Sequence, residues 1–298
     1  MAHALIAGWG YVGSRAGYLL REAGFRVTGI RRTPRGTDLS GGITVIAADL
    51  NAKNPIPLSL PEDITHVVYA VGADRFTPEA YRSAYVDGLI RLTDVLRCRK
   101  AAIERFCFVS STSVYPQQDG KWVEESSPVG SRHFGAETLI EAERFALSLP
   151  WQVTVVRLGG IYGPGRTRLI DAVRAGKARR IPNQTLLLNL IHGEDAAAAI
   201  VHLLTHPDPP PICNVTDLEP VDRNDLLVWI ANGLGLLPPP WEETAEPLVP
   251  VRGGNRRVSS RLLQSLGFRH RWPTYREGYR PLLESAAGNQ LDPLQSGA

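Results

Sequence analysis

Gly8-Trp9-Gly10-Tyr11-Val12-Gly13 is the first group of residues in this chain whose types and spacing can do chemistry. The pattern follows an apolar run and suits a turn whose backbone N–H groups close on a diphosphate. Gly8 permits the turn, Gly10 lets the backbone approach a pyrophosphate with no Cβ in the way, and Gly13 lets the next helix lie close on the strand. With Trp9, Tyr11 and Val12 these glycines form a candidate dinucleotide cradle, and the positive end of the helix adds attraction for phosphate. Glycines also collect in loops that bind nothing, so the context of strand, turn and helix carries the inference. The second group is Arg31-Arg32, after the run Phe25 to Ile30, where an acidic residue would meet a ribose 2′-hydroxyl. Two guanidinium groups suit a 2′-phosphate, which favours NADP(H) over NAD(H); the competing reading is a pair of solvated arginines on a loop.

The elements that must position these groups are legible in the apolar periodicity. Ala4 to Ala7 reads as a buried strand, and Val12, Ala16, Leu19, Leu20 and Ala23 recur at helical spacing until Gly24. Further strands are expected at Ile43 to Ala48, ending at Asp49-Leu50, and at His66 to Ala70, ending at Val71-Gly72. Both ends should face the nucleotide, which adds Asp49, Leu50, Ala70, Val71 and Gly72 to the candidate site. Tyr81, Tyr85, Leu89, Leu92 and Leu96 make one face of a long helix; Phe106 to Val109 and Val153 to Val156 are strands, with a helix bearing Leu139, Ala142, Ala146 and Leu149 between them. The alternation implies an α/β fold with a Rossmann-type doubly wound parallel sheet over residues 1–165.

Beyond Gly165 the elements shorten and the connectors become proline-rich, which suits a smaller substrate-side lobe over residues 166–287, interleaved with the first. Helices are expected at Leu169 to Ala175, Glu194 to Leu204, Arg223 to Leu234, Ser260 to Leu266 and Tyr275 to Leu283, with a short strand at Ile212 to Val215. Residues 288–298 are polar and small, and should form a mobile tail. A chain of 298 residues can bury a sizeable core. A net charge of +3 with scattered basic residues argues against nucleic acid as a partner. No apolar stretch is long enough for a membrane span and the start lacks a leader pattern, so the expected location is cytoplasmic and the expected partner a small-molecule substrate. Cys98, Cys107 and Cys213 have no metal-ligand spacing, so no metal is expected and the thiols read as reduced.

Five landmarks then fall in order: Gly8 to Gly13, Asp49-Leu50, Val109-Ser110-Ser111-Thr112-Ser113-Val114-Tyr115, Arg157 to Gly165, and Ile191-His192-Gly193-Glu194-Asp195. On these residues nearly the whole chain resembles an extended short-chain dehydrogenase/reductase of the NAD(P)-dependent epimerase/dehydratase type, nearest its atypical YeeZ-like branch. The resemblance implies that Asp49 lies near the adenine, that Ser111 hydrogen-bonds the reacting oxygen, and that Gly159 to Gly163, including Gly160 and Ile161, line nicotinamide and substrate. It also implies a homodimer through the helices bearing Leu89 and Leu139. The implied activity is oxidoreduction, epimerisation or dehydration of a small carbonyl or sugar-nucleotide-like molecule.

One departure weighs against the usual route. The family's Tyr-x-x-x-Lys pair aligns with Phe134 and Thr138, and none of Lys53, Lys100, Lys121 and Lys177 follows a tyrosine by four residues. That tyrosine shuttles a proton to the substrate oxygen while the lysine lowers its pKa. A substitute acid could come from Tyr115, His133, Tyr162, Glu137 or a water held by Ser111 and Ser113, each with a packing or solvated reading beside it. The alternative is a non-catalytic NADP(H)-binding module read by a partner protein. Asn189, His192 and Asp195 are expected to turn toward the substrate side or to serve only the local structure.

Overall fold

Parallel strands buried on both faces need near-continuous apolar runs, and β1 (His3–Ala7) is buried at all five positions. The computed structural model describes residues 1–34, 42–52, 60–130, 133–243 and 254–288; Lys53, Arg132 and the expected tail beyond Gly288 lie outside them. In chain order the next strands are β2 (Arg26–Arg31), β3 (Thr44–Ala47), β4 (His66–Tyr69), β5 (Arg105–Ser111), β6 (Trp122–Val123) and β7 (Gln152–Leu158). They are followed by β8 (Gly160–Tyr162), β9 (Leu187–Leu188), β10 (Leu190–His192), β11 (Ile212–Val215), β12 (Val221–Asp222) and β13 (Arg257–Val258). Seven of them form one parallel sheet in the order β11-β7-β5-β4-β1-β2-β3. The order reverses at β1, between β2 and β4, which opens a crevice at the strand ends there.

The helices are α1 (Tyr11–Glu22), α2 (Pro78–Tyr81), α3 (Gly88–Cys98), α4 (Phe134–Leu147), α5 (Arg168–Arg174), α6 (Gly193–Thr205), α7 (Arg223–Gly233), α8 (Arg261–Ser265) and α9 (Tyr275–Gly288). Apolar side chains of α1, α6 and α8 cover one face of the sheet; those of α3 and α4 cover the other. A third cluster, from α5, α7, α9 and β10, is the core of the smaller lobe. The lobe interleaves more deeply than its place in the sequence suggests. β11 extends the main sheet beside β7 and α6 packs on α1, so both belong to the body built on that sheet.

Between α2 and α3 the long expected helix changes its winding: Arg82–Asp87 is π-helical. A π segment loosens the backbone ladder, and here the Ala84 carbonyl accepts a hydrogen bond from the buried Tyr69 hydroxyl at 2.6 Å. Cys107 and Cys213 are buried while Cys98 is exposed, and burial pushes the Cys107 thiol up to about 12. Among the described residues no helix is long and apolar enough to cross a membrane, and no three His, Cys, Asp or Glu side chains gather as metal ligands would.

Candidate nucleotide site

The ends of β1, β2, β4, β5 and β7 open on one cavity of about 1000 Å3, where ligands bind in open parallel α/β sheets. Its floor is the glycine turn. Gly8 has φ +99, and a Cβ there would stand 2.5 Å from the Ala70 carbonyl oxygen, so a side chain is barred by both conformation and space. The N–H groups of Gly8 and Trp9 donate to the Ile30 carbonyl at 3.2 and 2.8 Å, tying the turn to β2. A Cβ at Gly13 would come within 2.1 Å of the Gly8 carbonyl oxygen; one at Gly10 would meet nothing within 4 Å. The two glycines therefore do different jobs. Gly13 lets helix and turn pack, whereas Gly10 leaves space open on the cavity side.

Gly10 is also the N-cap of α1; no side chain caps that end and no acidic residue stands in the first turn. Uncapped N–H groups at the positive end of a helix are a ready anion site. The Trp9 ring turns away into the core, where Cβ atoms at Gly17 and Gly29 would come within 2.3 and 2.5 Å of it. Trp9 thus contributes backbone to the cavity while its indole fixes the spacing of α1 on β2. Two arginine guanidinium groups lie over the Tyr11 ring, Arg15 at 3.8 Å and Arg166 at 4.7 Å from its centroid, within cation–π range. Arg166 lines the cavity, so the loop after β8 brings a cation to the helix end.

Past the ends of β2, β3 and β4 the cavity is lined by Arg31, Arg32, Asp49, Leu50, Ala70, Val71 and Gly72. Asp49 accepts a hydrogen bond from the Asn51 N–H at 2.9 Å, which holds the turn after β3. Arg32 also engages Asp74, a residue the sequence reading passed over. At the other end Ser110, Ser111, Leu158, Gly159 and Ile161 are joined by Tyr81, Tyr85 and Leu139. Spacing alone put the two tyrosines on one face of a long helix with Leu89, Leu92 and Leu96; both line the cavity. Ser111 accepts a hydrogen bond from the Ser113 N–H at 3.1 Å as the cap of a short 3-10 turn. Gly159 and Ile161 line the cavity, while Gly160 between them lies outside its lining.

Two expected catalytic residues are corrected as well. Tyr115 is 1% exposed and lies away from the cavity wall. Its hydroxyl donates to Asn214 Oδ1 at 2.8 Å and accepts from Arg157 Nη1 at 2.9 Å. Arg157 is paired with Glu143, Nη2 to Oε2 at 2.7 Å, and both are buried. Ser110, on the cavity wall, donates to the same carboxylate at 2.6 Å. Tyr115 is thus part of a polar network behind the wall, and burial raises its pKa above the ordinary phenol value. His133 caps α4, its Nδ1 accepting from the Ala136 N–H at 3.3 Å, and does not line the cavity.

Tyr162 stacks on Tyr279 at 4.3 Å, is buried, and has a raised pKa from burial. Glu137 is exposed on α4 and lies outside the cavity lining. At the aligned pair, Phe134 packs on Phe76 at 4.6 Å and on Tyr81 at 5.4 Å, while the Thr138 hydroxyl folds back onto the Phe134 carbonyl at 2.9 Å.

The remaining landmarks serve the local structure. His192 caps α6 through Nδ1, and burial lowers its pKa. Asp195 accepts the N–H groups of Arg271 and Trp272 at 3.0 and 2.8 Å. Asn189 holds β13 by accepting from the Val258 N–H at 2.7 Å.

Residues 4–216 match the model of the NAD dependent epimerase/dehydratase family. Protein YeeZ of Escherichia coli K12 is 28% identical over 281 residues, covering 92% of this chain and 97% of that protein. Among solved structures, a Methylobacillus flagellatus protein assigned by similarity to the NAD-dependent epimerase/dehydratases is 29% identical with a TM-score of 0.74, covering 96% of this chain and 98% of its own. MoeE5 in complex with UDP-glucose and NAD is 25% identical with a TM-score of 0.77, covering 97% and 100%.

Proposed function

The chain belongs to the NAD dependent epimerase/dehydratase family, and from that premise we propose that it binds NADP(H) in preference to NAD(H) and transforms a small carbonyl or sugar-nucleotide-like molecule. The observation that carries the reading is the uncapped end of α1 behind Gly8 and Gly10, with open space at Gly10 and Arg31 and Arg32 at the β2 end of the same cavity. These residues fit a dinucleotide: N–H donors for its diphosphate, Asp49 and Leu50 beside its adenosine, and guanidinium groups for a 2′-phosphate. Arg166 adds positive charge at the diphosphate end. When bound, a nicotinamide supplies the acceptor or donor of a hydride.

This chain's own residues then hold the substrate and move its proton. Leu139, Leu158 and Ile161 give the far end an apolar lining that excludes water. Ser111 offers a hydroxyl to the reacting oxygen. Tyr81, which packs against the Phe134 ring and lines the cavity, brings a phenol next to the position that lost its own. The UDP-glucose bound by MoeE5 supports a sugar nucleotide as the substrate class. The second reading, a binding module without turnover, is favoured by Phe134 and Thr138, which offer neither a phenol nor an ammonium at the family's positions.

Calorimetry with NADPH and NADH tests the cofactor. Gly10→Ala should fold with a melting temperature near that of the native chain, since its Cβ meets no protein atom, yet lose nucleotide binding. Gly13→Ala should lower stability itself, through the clash with the Gly8 carbonyl. Full affinity in folded Gly10→Ala, or no heat from the native chain with either nucleotide, overturns the reading.

A further inference from the structure

Arg32 and Asp74 come from different loops, one after β2 and one after β4, and both line the cavity. Arg32 Nη2 donates to Asp74 Oδ1 at 2.7 Å and Nη1 donates to Oδ2, so the carboxylate takes the guanidinium by its two-pronged face. That face is what a phosphate also uses. Each side chain is 52% exposed. The hydrogen bond from Arg32 holds the Asp74 carboxyl below the usual carboxylate range, so it stays an anion through neutral pH.

Resting on the NADP(H) reading, we propose that Asp74 sets how strongly the chain prefers NADP(H) by competing with the 2′-phosphate for Arg32. A phosphate monoester carries about −1.5 to −2 at neutral pH, and two anions cannot both take the same fork of N–H donors. Seating the phosphate on Arg32 displaces Asp74 and leaves a carboxylate beside a dianion. A 2′-hydroxyl makes no such demand, so NAD(H) leaves the pair intact. The pair is weak because both side chains stand half in water; the phosphate therefore wins, at reduced affinity. Asp49 adds negative charge near Arg32 and narrows the margin further.

The test is calorimetry of NADPH and NADH with the native chain, Asp74→Asn and Arg32→Ala, at low and high salt. Asparagine keeps the shape of Asp74 without its charge, at a half-exposed site where folding is not at stake. Asp74→Asn should tighten NADPH about three- to fivefold and leave NADH within about twofold. The gain should shrink at high salt, as screened charges require. Arg32→Ala should reduce the preference for NADPH to what Arg31 alone supports. An unchanged NADPH affinity in Asp74→Asn overturns the proposal. So does a weaker one, which would make Asp74 the residue that holds Arg32 in place, and so does a loss confined to NADH, which would make it a partner of the ribose hydroxyl. Silence from the native chain with both nucleotides would instead remove the cofactor reading, and the Asp74 proposal with it.

Discussion

Tyr81 brings a hydroxyl to a cavity whose neighbouring helix offers Phe134. A phenol at that wall can exchange a proton with the reacting oxygen, receiving it when an alcohol is oxidised and returning it when a carbonyl is reduced, and removing a positioned acid or base typically costs a factor of about 10²–10⁴ in turnover. In the protein loaded with oxidised cofactor, with UDP-glucose as the probe and nicotinamide absorbance in a single turnover as the readout, Tyr81→Phe should slow hydride transfer by at least about 100-fold. KM and nucleotide affinity should stay near their native values. Turnover unchanged in Tyr81→Phe would remove Tyr81 from the mechanism, and a native chain inert toward the probe would favour the binding module. The positions of the glycine turn and the arginine pair at the cavity were legible in the sequence, because each follows directly on a strand whose apolar run marks its end. Tyr81, Asp74 and Arg166 were not, since a tyrosine at helical spacing reads as core and a lone charge in a loop reads as solvated.

At the scale of elements, β7 and α4 are joined by the buried pair Arg157 and Glu143, which also receives the hydroxyls of Tyr115, through Arg157, and of Ser110. Breaking such a pair from one side leaves a charge in the interior without its partner, at a cost of about 3–5 kcal/mol. Glu143→Ala should therefore lose stability of that order in a denaturant titration, whereas the double change Glu143→Leu with Arg157→Leu should lose much less. A loss below about 1 kcal/mol in Glu143→Ala would mean that solvent reaches the guanidinium. The same network explains why Tyr115 is no acid for the substrate: its hydroxyl is consumed between Arg157 and Asn214. Strand and helix positions followed from periodicity, but the π segment Arg82–Asp87 did not. Its cause is tertiary, at least in part, since the Tyr69 hydroxyl binds the Ala84 carbonyl within it.

At the scale of the whole molecule, Asp217 lies where the chain leaves β11 for the smaller lobe, its N–H donating to the Leu190 carbonyl at 2.6 Å. Burial raises its carboxyl well above the ordinary value. The native chain thus keeps a proton that the unfolded chain releases near about pH 3.9. The stability from this group is full below that value and declines as the pH rises toward the folded one. Thermal melts of the native chain and of Asp217→Asn should accordingly diverge with rising pH, the variant gaining; parallel curves would show that the carboxylate ionises in the fold without penalty. The joining of the two parts is also where sequence and structure part company. The amino-acid sequence by itself determined the parallel sheet, the glycine turn and the strand ends that face the cavity, because backbone periodicity and glycine sterics are local. Only the tertiary structure decided that α6 and β11 return to the main sheet, that Tyr115 and His133 turn away from the cavity while Tyr81 and Tyr85 enter it, and that Arg32 already holds a carboxylate. Those outcomes depend on which distant side chains meet across the strand order, and spacing along the chain carries no record of that.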